Sequence, residues 1–218
     1  MTQKLLDREL AGRLLSKKLE DYADSNSVVF GIPRGGVCVA AEISQALALP
    51  LEAIFCRRIN HPADHHRSIG SVSTKDVCVH DCSHTIPQDY IAHQIALLRN
   101  AVGYEREYFY GGRTPAAVHY KTVILTTDVL ATSDSILACI RELKRQEPLK
   151  LIVAVPVVSA EAARIIRSEA DDIVYLRIEP FIRSANDYYI HFPDITDEKV
   201  KELLESGKKY SGSSYQFF

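Results

Sequence analysis

With 218 residues, 46% of them hydrophobic and 25% charged, the chain has the length of one large or two small domains and the composition of an ordinary soluble globular protein. A net charge of −2 gives no electrostatic reason for a nucleic-acid partner, and no apolar run nears the roughly 20 residues that span a bilayer. The opening MTQKLLDREL has no signal-peptide core and the five cysteines form no disulfide framework, so a cytoplasmic protein with no membrane or nucleic-acid partner is expected.

The first predicted element is an amphipathic helix from Leu5 to Leu19, with Leu6, Leu10, Leu14 and Leu15 on one face. Val28 to Ile32 reads as a buried strand, and Val37 to Leu47 as a helix with Ala40, Ala41, Ile43 and Leu47 inward. Between them stands Pro33-Arg34-Gly35-Gly36. Glycines there permit close approach of an anion to the backbone, and the Arg34 fork suits phosphate oxygens. The bland alternative is a plain strand-to-helix turn with a surface arginine.

Leu51 to Cys56 reads as a second strand. After it the text turns polar and basic, with Arg57, Arg58, His61, His65, His66 and Arg67, and is expected to form an exposed loop long enough to move. A metal site from these histidines is a competing reading, but nothing here has zinc-ligand spacing. Ser68 to Ser73 and Val77 to Val79 look like short strands. Cys78, His80, Cys82 and His84 alternate, yet an extended strand would hold Cys78 and Cys82 roughly 13 Å apart, too far for one ion.

Pro87 opens a long helix to about Tyr108, with Ile91, Ile95, Leu98 and Val102 recurring at helical steps. The central stretch follows. Thr122 to Leu125 is a short buried strand, and Ile136, Leu137, Ile140 and Leu143 start a helix. The turn between them is built from small polar residues: Thr126, Thr127, Asp128, Ala131, Thr132, Ser133, Asp134 and Ser135. A helix amino terminus at the carboxyl end of a parallel strand offers free N–H groups and a positive dipole end, which suit a phosphate.

Leu149 to Val155 and Ile173 to Leu176 give two more buried strands around a helix from Ala160 to Arg167. Such alternation predicts a mainly parallel sheet with helices on both faces, a three-layer α/β domain. No linker or repeat divides residues 1–218, so a single domain is expected. Residues 179–195 are aromatic and irregular and are expected to form a small cap. Thr196 caps a final helix carrying Val200, Leu203 and Leu204 inward, and a loose tail is expected over 206–218.

The central stretch resembles the phosphoribosyl-pyrophosphate (PRPP) motif of type I phosphoribosyltransferases: apolar strand residues, two acids, two further residues, then Ala-Thr-Gly-X-Thr. Val123 to Leu125, Asp128, Leu130, Ala131 and Thr132 match, and Ser135 stands in for the last Thr. Pro33 to Gly36 resembles the family's pyrophosphate loop. LDRELAGRLL, and the text around Tyr189, Phe192 and Asp197 to Leu204, resemble an uncharacterised branch of the same family. The resemblance runs from Asp7 to about Leu204.

It implies transfer of a 5-phosphoribosyl group from PRPP to a nitrogen acceptor, such as a nucleobase, with release of pyrophosphate. Thr127 and Ala131 to Ser135 would hold the 5′-phosphate, including Thr132, Ser133 and Asp134. Asp128 would take a ribose hydroxyl beside Mg²⁺, itself held mostly through substrate phosphates. Arg34, Gly35 and Gly36 would hold the pyrophosphate, with Arg57 and Arg58 assisting catalysis. His61, His65, His66 and Arg67 would belong to a mobile closing loop. Phe181, Tyr188, Tyr189 and Phe192 are candidates to stack on the acceptor, against a bland reading as packing under a cap. A homodimer is expected.

Three positions depart from the motif. Thr127 replaces an acid, forfeiting a charge-assisted hydrogen bond of roughly 1.5–3 kcal/mol. Ser133 replaces a Gly. Asp134 stands where a small neutral residue is usual; a carboxylate about 4 Å from a phosphate costs roughly 4 kcal/mol at an effective dielectric of ~20 unless it points away. Two hypotheses therefore stand: an active phosphoribosyltransferase, and a catalytically impaired relative that binds or senses PRPP or nucleotides or serves as an interaction module. A generic Rossmann-type binder is weaker, since no Gly-x-Gly-x-x-Gly or Walker loop follows a strand.

Overall fold

A computed structural model of the chain describes residues 4–80 and 85–210, apart from the side chains of His66 and Ser135; Cys82, His84 and most of the Ser-rich tail lie outside the described residues. In chain order the elements are α1 (Arg8–Lys17), β1 (Ser27–Gly31), α2 (Gly35–Leu47), β2 (Leu51–Ala53), β3 (Cys56–His61), β4 (Asp64–Ser73), β5 (Val77–Val79), α3 (Gln88–Tyr110), β6 (Thr122–Thr126), α4 (Asp134–Lys144), β7 (Lys150–Ser159), α5 (Ala160–Glu169), β8 (Asp172–Glu179) and α6 (Asp197–Gly207).

The apolar runs of β1, β6 and β7 are buried on both faces because they lie inside a five-stranded sheet ordered β2–β1–β6–β7–β8. Every pairing in that sheet is parallel. Alternate residues divide between the two faces. Val28, Phe30, Val123, Leu125, Leu151 and Val153 meet Ile136, Ile140, Ala163 and Ile166 of α4 and α5. Val29, Ile124 and Ile152 meet Leu15, Val39, Ile43, Val200 and Leu204 of α1, α2 and α6. The three-layer architecture expected from the sequence is thus the one observed.

Three elements differ from the sequence reading: the second strand, the basic segment and the first helix. The stretch from Leu51 to Cys56 is not one strand: Leu51–Ala53 joins the large sheet, and the chain then turns so that Cys56 starts a separate three-stranded sheet ordered β3–β4–β5. Glu52 marks the corner. Its buried carboxylate accepts two hydrogen bonds from Arg113 (2.9 and 2.8 Å), one from the Tyr110 hydroxyl (2.8 Å) and one from the Ala116 N–H (2.9 Å). These bonds tie the end of α3 to β2. The basic segment expected as a loop is instead the β3–β4 hairpin, paired from Cys56↔Ser73 to His61↔Asp64. Its pairing shifts register on either side of Asn60, and its strand form has a packing cause: Ile59, Ile69 and Val72 cluster with Ile86 and Ile91, giving the hairpin a small core of its own.

The first helix is shorter and turned from the predicted face. Asp7 accepts from Leu10 N–H at 2.7 Å and starts the helix at Arg8. Its buried residues are Arg8, Ala11, Gly12, Leu15 and Ser16. A Cβ on Gly12 would lie 2.6 Å from the Glu42 Cβ, so small residues let α1 and α2 touch backbone to backbone. Thr196 caps α6 as expected, accepting from the Lys199 N–H. Between β8 and α6 the chain crosses the amino-terminal segment, where Leu5 and Tyr189 form a bridge.

Candidate functional site

Parallel register puts the carboxyl ends of β1 and β6 side by side, with Gly31 opposite Thr126. Each strand leads through a short bend into a helix, α2 at Gly35 and α4 at Asp134. The first N–H groups of both helices lack intrahelical partners, so two electropositive helix ends open on one sheet edge. The bends touch: Ile32 N–H donates to the Thr126 carbonyl at 2.9 Å. A Cβ on Gly36 would lie 2.8 Å from that carbonyl oxygen and from the Thr127 Cα. A Cβ on Gly35 would collide with the Asp128 Oδ2. The glycines of Pro33-Arg34-Gly35-Gly36 are therefore required where the two bends meet. The Pro33–Arg34 peptide is cis.

The second bend is anchored from below and open above. Leu130 is buried and bridges Val158, donating its N–H to Val157 (2.9 Å) and accepting from Ser159 (3.0 Å). Ala131 and Thr132 are exposed beyond it. Ser133 is buried at the helix entrance. Asp134 lies in the first turn of α4 with its carboxylate 2.8 Å from His80 Nε2. The carboxylate that threatened the phosphate site is thus engaged by the end of β5. Thr132, Ser133 and Asp134 line a cavity of about 460 Å³ with Cys78, His80 and Arg141. A second cavity, about 150 Å³, opens beside the first bend between Pro33, Arg34, Cys56, Arg57 and Glu105. A larger hollow of about 830 Å³ at the start of β8 lies away from both bends, among residues such as Asp172 and Tyr175.

Three of the charged residues expected at the site, Arg34, Arg57 and Asp128, already have protein partners. Arg34 pairs with Asp197 (2.5 and 3.3 Å), whose hydrogen bond and charge raise the guanidinium pKa further. Arg57 pairs with Glu105 at 2.9 Å. Asp128 accepts from Arg8 Nε at 2.8 Å and from the Val129 N–H at 3.0 Å. Arg58, His65 and Arg67 are exposed on the hairpin and His61 is half-buried at its end. Burial pushes the Cys38 thiol, on the first turns of α2, up to about 11.

Of the four rings expected to stack on an acceptor, three are already packed. Tyr188 and Tyr189 are only 8% and 2% exposed. The Tyr189 hydroxyl donates to the Asp128 carbonyl at 2.8 Å, and burial raises its pKa. Phe192 stacks on Tyr189 with centroids 4.9 Å apart and carries the Arg8 guanidinium at 3.6 Å. Tyr189 and Arg8 thus already lie against the Phe192 ring. Phe181 is 69% exposed. The packing reading describes Tyr188, Tyr189 and Phe192.

The phosphoribosyl transferase domain family model matches residues 2–193, nearly the whole of this arrangement. The chain belongs to that family. A Mycobacterium tuberculosis protein that carries phosphoribosyl transferase as a provisional name is 25% identical over 203 residues, covering 91% of this chain and 46% of its own length. The chain spans about half the length of the curated relatives it matches. The crystal structure of TT1426 from Thermus thermophilus is similar at a TM-score of 0.80 and 29% identity, over 94% of this chain and 99% of that one.

As a member of the phosphoribosyl transferase domain family, the chain would meet magnesium at Asp128. The described residues do not build a resident site for it. No group of three His, Cys, Asp or Glu side chains among the described residues is placed to hold a metal ion, and Asp128 is engaged by Arg8. The family's motif also fails to point to Arg8, His80, Glu105 and Asp197, which surround it here. Two stretches outside the motif carry a signal for them: LDRELAGRLL, which holds Arg8 and which a packing helix accounts for by itself, and Asp197 to Leu204, which holds Asp197.

Proposed function

We propose that the chain is a phosphoribosyltransferase, moving the 5-phosphoribosyl group of PRPP to a nitrogen acceptor, a nucleobase or related small molecule, with release of pyrophosphate. The observation that carries this reading is the contact between two glycine- and hydroxyl-rich helix entrances on one sheet edge, through Gly36 and Thr126. Two such entrances side by side suit a substrate with a phosphate at one end and a diphosphate at the other. The α4 entrance, from Ala131 to Ser135, takes the 5′-phosphate. The α2 entrance, with Arg34, Gly35, Gly36 and the nearby Arg57, takes the diphosphate. Asp128 stands between them for the ribose hydroxyls. Magnesium would come as part of the PRPP complex rather than from a site on the protein, and would offset part of the diphosphate charge.

The transfer passes through a ribosyl cation, so the protein's work is to align the acceptor and stabilise the departing diphosphate. Arg34 and Arg57 must exchange Asp197 and Glu105 for diphosphate oxygens. Both pairs are partly solvent-exposed, with Arg34 and Arg57 side chains at 53% and 51%, so the exchange costs little.

A second reading, a relative that binds PRPP or nucleotides without turnover, draws support from Thr127 in place of an acid and from the engagement of Asp128 by Arg8. A pyrophosphate-release screen with magnesium, PRPP and a panel of purine, pyrimidine and other nitrogen acceptors separates the two. The transferase reading expects release that depends on one class of acceptor. PRPP binding without release from any acceptor replaces it with the second reading.

A further inference from the structure

Asp128 creates an electrostatic problem at the proposed diphosphate site. Its Oδ2 occupies the space directly over Gly35, where a Cβ would otherwise stand. Gly35 begins α2, the helix end assigned to the diphosphate. A bare carboxylate there would face an incoming polyanion across a few ångströms. Arg8 lies against it: the same hypothetical Cβ would be 2.7 Å from Arg8 Nε, which donates to Asp128 Oδ2 at 2.8 Å.

Arg8 is held so that it cannot swing away cheaply. Its Nη1 donates to the Pro193 carbonyl at 2.7 Å, and its guanidinium lies 3.6 Å over the Phe192 ring. The side chain is 9% exposed. Asp7 fixes the helix start immediately before it. From the other side, the Tyr189 hydroxyl grips the Asp128 carbonyl. An arginine this buried, on a helix outside both bends, is costly unless paired.

We propose that Arg8 is a positioning residue of the diphosphate site: it neutralises and orients Asp128, so that a carboxylate aimed at ribose hydroxyls does not repel the diphosphate beside it. The inference rests on the transferase reading for the identity of the anion. It places the amino-terminal helix and the 189–193 segment in the substrate site, and it makes charge balance, rather than packing, the reason for Arg8.

Inorganic pyrophosphate is the probe, since it has no ribose and needs no turnover. Binding is measured by calorimetry for the full chain, with thermal melts of each variant. Arg8→Gln leaves Asp128 uncompensated and is expected to weaken pyrophosphate binding at least about tenfold. Arg8→Lys keeps the charge and stays within about threefold of the parent. Arg8→Gln combined with Asp128→Asn removes both charges and is expected to recover to within about threefold of the parent. Asp128→Asn alone, which frees the Arg8 charge, is expected to bind at least about threefold more tightly, and it carries the test if Arg8→Gln does not fold.

A merely structural Arg8 predicts the opposite pattern: the double variant would bind no better than Arg8→Gln, and Asp128→Asn would not tighten. Either result overturns this inference while leaving the transferase reading standing, provided the parent binds pyrophosphate or PRPP. If the parent binds neither, both fall together.

Discussion

Arg34 and Asp197 meet across 2.5 Å at the mouth of the first bend, with the Arg34 side chain half exposed. Exposed pairs of this kind contribute about 0.2–1 kcal/mol, a factor of no more than about five in an equilibrium. Asp197→Asn is therefore expected to raise PRPP affinity a few-fold by freeing Arg34, with little change in melting temperature. Calorimetry checks it; weaker binding would show that Asp197 helps to hold the ligand rather than competing with it. At this scale the sequence was legible only where chemistry is local. Pro33 to Gly36 and Thr126 to Ser135 carry their small and hydroxyl residues contiguously, and the bends form there. The partners do not: Arg8 is 120 positions from Asp128, and Arg34 is 163 from Asp197. No spacing rule links residues that distant; the sheet order joins them. The packing of two rings is hidden for a related reason, since Tyr189 and Phe192 look alike in sequence whether they face a ligand or, as here, each other and Arg8.

Helix α4 carries the position that most strains the motif. Asp134 stands in its first turn, where an acidic group interacts favourably with the helix dipole, and its carboxylate is drawn to His80. The charge is thus partnered and turned toward the β5 end rather than left free over the bend. Asp134→Asn is accordingly expected to change PRPP affinity by less than about twofold while loosening the His80 contact, at a cost of up to about 1–3 kcal/mol in denaturant unfolding. A tenfold gain in affinity would mean that the carboxylate does sit against the 5′-phosphate. Elements with strong periodicity were readable: Ile91, Ile95, Leu98 and Val102 lie on the buried or half-buried side of α3. The failures share a cause. The α1 face follows Ala11 and Gly12, whose value is smallness against α2, and a hydrophobic pattern counts leucines instead. The β3–β4 hairpin hides because Ile59, Ile69 and Val72 suffice for its thin core while its outer side is charged.

The whole molecule buries thiols and phenols whose ionisation it resists. The Cys38 thiol is raised from 9.0 to about 11 by burial, and Tyr110 and Tyr189 are raised above 10.0 for the same reason. Below 9.0 both folded and unfolded thiols keep their proton and the contribution to stability is complete. Above it the unfolded thiol ionises first, so stability falls as pH rises toward about 11, by roughly 2 kcal/mol for Cys38. Urea unfolding at about pH 8 and about pH 10.5 is expected to show this loss, reduced by a similar amount in Cys38→Ala; a flat alkaline limb would contradict the burial argument. Parallel strands between helices made the three-layer fold readable, because strands buried on both faces are continuously apolar. The order β2–β1–β6–β7–β8 brings the two bends onto one edge, and that juxtaposition underlies the proposed site. It is tested most directly by calorimetric titration of magnesium-PRPP into the unmodified chain. Saturable binding at one site per chain, with a Kd below about 1 mM, is the predicted result, and no heat at millimolar ligand would contradict it.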